Sequence, residues 1–267
     1  MNLDFPAILV LLVLFCGVVS FVDWLYCKRN PAEKTSKKPM LIDYARSFFP
    51  VLLVVLLIRS FLVQPYRVPS GSLEPTVIPG DLMLVNQFAY GLHLPVWYTK
   101  LLSVGEPKRG QIALFYWPVN KKITFIKRVI GVPGDHISYI NKVLYVNGKE
   151  AKQTPAGDST DTNGGVSWSV KVYEENLDGV KHKIFVCDAN SLGCPNSETQ
   201  NFYNLEIPAG HYLMMGDNRD NSDDSRDWGL VPKENLIGKA MFVFLNWDPY
   251  AQHWYQKIKF NRIGTQL

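Results

Sequence analysis

The sequence predicts a mainly β protein: two N-terminal transmembrane helices followed by an antiparallel β-sheet domain that carries a β-ribbon or second subdomain as an insertion. Three observations carry this. Two long apolar runs lie between Phe5 and Gln64, and a basic segment separates them. Beyond Gln64 the apolar residues fall into short runs rich in Val, Ile, Phe and Tyr, broken by Gly, Pro, Asn and Asp, with no long helical periodicity.

The first run, FPAILVLLVLFCGVVSFV (Phe5 to Val22), is uncharged. At ~1.5 Å per helical residue it spans roughly 27 Å, enough to cross a bilayer's hydrocarbon core. A cleaved signal peptide is the competing reading, but no Lys or Arg precedes the run and no small-x-small site closes it. The second run, SFFPVLLVVLLIRSFLVQ (Ser47 to Gln64), is interrupted only by Arg59, close enough to its end to snorkel. Between them, Lys28, Arg29, Lys34, Lys37 and Lys38 stand against Glu33. By the positive-inside rule this loop is cytoplasmic, and the N-terminus with Asp4 and everything after Gln64 lie outside. Much of the net charge of +4 sits in this loop, which argues against nucleic-acid binding. The expected organisation is therefore a tail and first helix over 1–27, a basic loop over 28–46, a second helix over 47–64 and an outer domain over 65–267. Within that domain, about 150–210 forms the ribbon or second subdomain.

In the outer domain the strand candidates are DLMLVNQF, QIALFYW, ITFIKRVIGV, HISYI, VLYVNG, SVKVY, KIFVC, HYLMMG and AMFVFL. Asn147-Gly148 in LYVNGKE suits a type I′ hairpin turn. The stretch QTPAGDSTDTNGG, Gln153 to Gly165, is polar and predicts an exposed loop or ribbon end. Cys16 and Cys27 belong to the first span and its cytoplasmic end, and are expected reduced. Cys187 and Cys194 enclose CDANSLGC and are expected to form a disulfide outside the cytoplasm; metal binding is the alternative, without a zinc-type cluster to support it.

Residues 69 to 76, PSGSLEPT, hold two serines between prolines. This is either an ordinary turn or a nucleophile on a stiff backbone. None of His93, His136, His182, His211 and His253 lies in a triad-like motif, and SGS is not a G-x-S-x-G elbow. Lys127 is the better base. In ITFIKRVIGVPGD, period-two alternation places Phe125, Lys127 and Val129 on one face and Ile126, Arg128 and Ile130 on the other. Apolar flanks would desolvate the ammonium and lower its pKa. A lysine snorkelling from a sheet edge is the plainer alternative. A third motif, GDNRDNSDDSRDWG, covers residues 216 to 229. A calcium loop starting at Asp223 would use Ser225, Asp227 and Glu234, but Trp228 occupies the place where glycine is required. A solvated acidic turn, with Asp220 and Asp223 on its surface, is the other reading.

Taken together, PSGSLEPT, FIKRVIGVPGD and GDNRDNSDDSR resemble the signature boxes of bacterial type I signal peptidases (leader peptidases), in the family's order and behind its two spans and basic loop. The resemblance implies a membrane-bound Ser/Lys endopeptidase that removes signal peptides from exported preproteins, cutting after small residues in an A-x-A pattern. It implies Ser72 as nucleophile, Lys127 as general base, and an oxyanion hole made by the Ser70 hydroxyl and the Ser72 N–H. Ser222 would orient the lysine, Asp224 and Arg226 would form a supporting ion pair, and Val68, Leu73, Phe125 and Ile126 would wall the substrate pocket. No cofactor, metal or nucleic acid is expected; preproteins, membrane lipid and the secretion machinery are the expected partners. The inner membrane is the expected site, with the catalytic domain on its periplasmic side. Trp247, Trp254 and Tyr255 are candidates either for an interfacial belt or for the core. Gln111 stands where the family would have an aspartate. The competing functions are a protease dedicated to itself or one partner, and a membrane-tethered β module that binds without chemistry.

Overall fold

The computed structural model describes residues 5–30, 38–61, 63–93, 100–188, 191, 193–195, 200–248, 251 and 253–267. Helices α1 (Phe5–Arg29) and α2 (Met40–Phe61) open the chain. Strands follow: β1 (Val63–Arg67), β2 (Asp81–Asn86), β3 (Gly91–His93), β4 (Lys100–Ser103), β5 (Ile112–Tyr116), β6 (Thr124–Gly131), β7 (His136–Ile140), β8 (Val143–Val146) and β9 (Lys149–Glu150). Then come β10 (Gln153–Asn163), β11 (Val166–Leu177), β12 (Val180–Cys187), β13 (Phe202–Glu206), β14 (His211–Met215), the short helix α3 (Ser225–Trp228), β15 (Val231–Pro232) and β16 (Leu236–Asn246). The chain divides into two compact units, Met1–Gln64 with Leu92–Ser103, and Pro65–Gly91 with Val104–Leu267.

In the first unit both helices are long and apolar enough to cross a membrane, over Ile8–Arg29 and Met40–Ile58. The second helix lies further towards the N-terminus than the expected 47–64. Pro39 starts it, accepting from the Ile42 and Asp43 N–H groups. Val63 and Gln64 already belong to β1, because Pro65 drives the residue before it into extended backbone. Gly17 admits the Phe49 ring: a Cβ there would sit 2.9 Å from Phe49 Cε2. Asp23, just past the uncharged run, is buried and accepts from Lys38 Nζ and from Arg46 Nη1 at 3.1 Å, tying the two helices together. Asp4, Lys34, Lys37 and the side chain of Arg59 lie outside the described residues. Cys16 and Cys27 are free thiols.

The second unit is built on a seven-stranded sheet in the order β1-β2-β16-β5-β6-β14-β15. Its pairings from β2 to β15 are antiparallel. A four-stranded sheet (β13-β7-β8-β9) and a three-stranded ribbon (β10-β11-β12) complete it, while β3 and β4 pair separately. Alternation along β6 separates two apolar clusters. Ile126 joins Val68, Leu73, Val77 and Met83, while Phe125 and Val129 pack with Phe115, Tyr212 and Met214. Burying a side chain of this size stabilises the fold by about 1.5–3 kcal/mol. The hairpin at Asn147-Gly148 has φ of 52° and 78°, as a type I′ turn requires.

All nine expected strand runs are strands, but β10 is different in kind. Of the two readings of the polar stretch, exposed loop or ribbon end, the structure shows the ribbon: an 11-residue strand paired with β11 along nearly its whole length around a bulge at Pro155/Gly157. Most of its side chains are exposed and polar, so no apolar alternation betrays it. Cys187 and Cys194 form the disulfide, with Cα atoms 6.3 Å apart.

Candidate active site

Sheet register assembles the site. Met215 of β14 pairs with Arg128 of β6, so the next step of the ladder carries Gly216, the first residue of GDNRDNSDDSR, alongside Lys127. The box then turns away from the sheet and ends in α3. Asp224 caps that helix, accepting from Arg226 N while its own N–H donates to Asp227.

Lys127 is 1% exposed. Its Nζ donates to Ser222 Oγ at 2.9 Å, and Ser222 Oγ donates to Asp224 Oδ2 at 2.9 Å. Arg226 meets Asp224 through Nε and Nη2, at 2.8 and 2.7 Å. The four side chains thus form one buried relay. Burial brings the Lys127 pKa down to about 8, and the Asp224 charge opposes the fall without cancelling it. Burial pushes Asp224 in the opposite sense, towards neutrality, but the Arg226 guanidinium outweighs it and holds the carboxyl below its ordinary value. Phe125 lies on the same face as Lys127, its ring centroid 5.7 Å from Nζ. The lysine is no edge residue: β6 lies between β5 and β14.

Ser72 sits in the turn that follows β1. Glu74 N–H closes on Gly71 O at 3.0 Å and Val77 N–H on Leu73 O at 3.0 Å, while Leu73 and Val77 plug the core. Ser70 is exposed and Ser72 is 8% exposed. Gly216 brings this turn against the relay: a Cβ at that position would collide with both Ser222 Oγ and the Ser72 carbonyl oxygen. Among the described residues the hydrogen bond of Lys127 Nζ goes to Ser222, and none joins it to Ser72 Oγ. Nucleophile–base contacts of this kind are often loose before substrate binds.

The expected pocket residues divide. Val68, Leu73 and Ile126 are buried together in one cluster, whereas Phe125 is half-buried on the other face of β6. Trp247 and Tyr255 are exposed rather than core; the side chain of Trp254 lies outside the described residues. Gln111 does the work of an acid in its turn, its Oε1 accepting from Lys108 N–H at 3.2 Å and Tyr90 hydroxyl at 3.3 Å. Asp220 is not a solvated surface acid: it is buried, accepting from Cys187 N–H at 2.7 Å and Lys142 Nζ at 2.9 Å.

Sequence reasoning missed the support behind the turn. Arg128 is buried and grips Asp217 through Nε at 2.7 Å and Nη2 at 2.6 Å, and Thr76 Oγ1 donates to the same carboxylate at 2.6 Å. Burial alone would raise the Asp217 pKa, but Arg128 reverses this and holds it low. The signal was present: an arginine on the apolar face of a central strand needs a buried acid.

The family model described as signal peptidase, peptidase S26, matches residues 41–247. Signal peptidase I of Pseudomonas fluorescens is 39% identical, and that of Pseudomonas aeruginosa 41% identical, each alignment covering 99% of both chains. Signal peptidase I of Buchnera aphidicola from Acyrthosiphon pisum is 34% identical, over 94% of this chain and 93% of its own. With a family model spanning most of the sequence and relatives aligned from end to end, the chain belongs to the signal peptidase family, peptidase S26.

Proposed function

We propose that this membrane-associated serine endopeptidase removes signal peptides from preproteins with Ser72 as nucleophile and Lys127 as general base. The observation that carries the assignment is the state of Lys127: dry, lowered to about 8, and donating one hydrogen to Ser222, whose own proton is committed to Asp224. In its neutral form the amine then has a lone pair free for the Ser72 proton.

Ser72 Oγ attacks the scissile carbonyl carbon as its proton passes to Lys127 Nζ. The resulting oxyanion is held by the Ser72 N–H and the Ser70 hydroxyl, a contribution of ~3 kcal/mol for a single well-placed donor. The C–N bond breaks, the leaving amine takes the proton from Lys127, and an ester remains on Ser72. Lys127 next takes a proton from water, which attacks the ester; the ester C–O bond breaks and Ser72 Oγ recovers the proton. The substrate lies as an extended strand beside the residues leading to Ser70, small side chains at alternate positions facing the walls near Val68, Leu73 and Ile126, while Phe125 stays on the other face of β6 beside Lys127.

The basic 28–46 loop supports an inner-membrane protein with its catalytic domain on the periplasmic side. Exposed Trp247, Tyr255, Phe260 and Ile263 supply apolar surface for lipid contact, and the secretion machinery is the natural source of substrate. In detergent micelles the full chain is expected to cleave a preprotein after its A-x-A site. Ser72→Ala and Lys127→Ala should each abolish cleavage with thermal unfolding retained; full activity in either would overturn its assigned role.

A further inference from the structure

The peptide planes on either side of the Ser72 Cα are both anchored by one residue outside the lysine relay. Asn218 donates its backbone N–H to the Ser72 carbonyl at 3.1 Å and its Nδ2 to the Gly71 carbonyl at 3.2 Å. The Gly71 carbonyl belongs to the same planar unit as the Ser72 N–H, and in a trans peptide the two point in opposite directions. Fixing one therefore aims the other, which is the oxyanion donor of the proposed mechanism. Fixing the Ser72 carbonyl sets the next plane, and the two together fix the Cα–Cβ bond from which Oγ projects.

What fixes Asn218 is a residue of the ribbon. Asp161 is the buried residue of β10, 1% exposed in a strand whose other side chains are exposed or half-buried. Its Oδ2 accepts the second Asn218 Nδ2 hydrogen at 2.7 Å and also Asn221 Nδ2 at 3.0 Å, while Oδ1 accepts from Thr162 N–H at 2.7 Å. A carboxylate only accepts. With the Asn218 amide reversed, its oxygen would face both Asp161 and the Gly71 carbonyl, so the acid selects the orientation that grips the turn. From behind, the Asp217 carbonyl and the Arg219 N–H bond to Phe185 of β12, which holds the backbone around Asn218 in place.

We infer that Asn218 and, through it, Asp161 are positioning residues for Ser72, and that the ribbon's polar strand serves to deliver this one carboxylate. The inference rests on Ser72 being the nucleophile. It is tested by preprotein cleavage by the full chain in detergent micelles, with thermal unfolding measured in parallel. Asn218→Ala is expected to lower kcat about 100-fold and Asp161→Ala about 10-fold, each with KM changed less than about threefold. The pH at which activity rises should stay where it is in the parent, because Lys127 is untouched. The double variant should be no slower than Asn218→Ala, since Asp161 acts only through Asn218. Asp161→Asn, whose carbonyl oxygen can still accept, should recover most of the lost rate and covers the case in which an alanine variant fails to fold. Unchanged kcat in Asn218→Ala, losses that multiply in the double variant, or Asp161→Asn as slow as Asp161→Ala would each overturn the inference. An active Ser72→Ala would instead remove its premise, an outcome that is read separately.

Discussion

At the scale of the residue, Lys127 sets both the pH dependence and a stability penalty. A base brought to about 8 is only about a tenth neutral at pH 7. The kcat/KM is therefore expected to climb with pH through an apparent pKa near 8, and a profile flat from pH 6 to 9 would contradict a neutral lysine base. The same depression has a thermodynamic sign. Below pH 8 the folded state carries a dry ammonium that the unfolded chain would leave in water. Between about 8 and the unfolded value of 10.5, folding releases the proton and that penalty fades. Lys127→Met is thus expected to be inactive yet to melt higher than the parent at pH 7, with the gap closing towards pH 10.5. A lower Tm at pH 7 would show that the relay's hydrogen bonds outweigh the desolvation. Gly216 matters by what it lacks: Gly216→Ala places a methyl group against Ser222 Oγ and the Ser72 carbonyl, so the relay or the turn must shift, and a large fall in kcat is expected together with a lower Tm.

At the scale of the element, β6 serves two purposes from its two faces. One carries Lys127 into the relay and the other sends Arg128 to Asp217 and so to Thr76 of the nucleophile turn. Breaking one partner of a buried pair leaves an uncompensated charge, destabilising by about 3–5 kcal/mol. Asp217→Ala is accordingly expected to lower Tm by roughly 10 °C, and the apolar double replacement Arg128→Met with Asp217→Leu should recover much of it. A Tm equal to the parent's in Asp217→Ala would show that the pair contributes nothing. This strand was legible in the sequence because its period-two pattern is strong, and so were the other apolar strands and the turn at Asn147-Gly148. The ribbon strand β10 was legible only as one of two readings, loop or ribbon end. Its pairing is made by backbone groups and most of its side chains are polar and exposed, so neither propensity nor alternation marks it. The motifs likewise singled out Ser72, Lys127 and Ser222, and the structure places Lys127 and Ser222 in hydrogen-bond contact; they gave no role to Asn218 or Asp161, because an asparagine gains its meaning from which carbonyls it reaches, and that is a property of register.

At the scale of the whole molecule, buried carboxylates shape the response to acid. Asp135, Asp217 and Asp224 are each pushed up by burial but held below the ordinary carboxylate value by Arg109, Arg128 and Arg226 respectively. Their stabilisation is present above the unfolded value of 3.8 and is lost as the pH falls through and below it. Glu74 has the opposite sign. Burial, reinforced by the Asp161 charge, raises it to about 7, so its contribution worsens as the pH climbs from 4.5 to 7. Glu74→Gln is expected to raise Tm at pH 8 and leave it nearly unchanged at pH 4; equal shifts at both would mean the effect is packing and not charge. Overall the parent should melt progressively lower below pH 4.

The order in which the parts of the site occur along the chain has a consequence for biosynthesis. Ser72 comes first, Lys127 next, and the Gly216–Arg226 segment that steadies both only after most of the polypeptide exists. With Ser72 and Lys127 in the roles proposed above, a growing chain in which β14 has not yet docked on β6 holds the hydroxyl and the amine with nothing to keep them dry or aligned. On that proposal the cutting edge is sheathed by chronology: a half-made copy emerging from the ribosome is expected to be inert towards itself and its neighbours, and the blade is bared only when about the last fifth of the protein has closed over it.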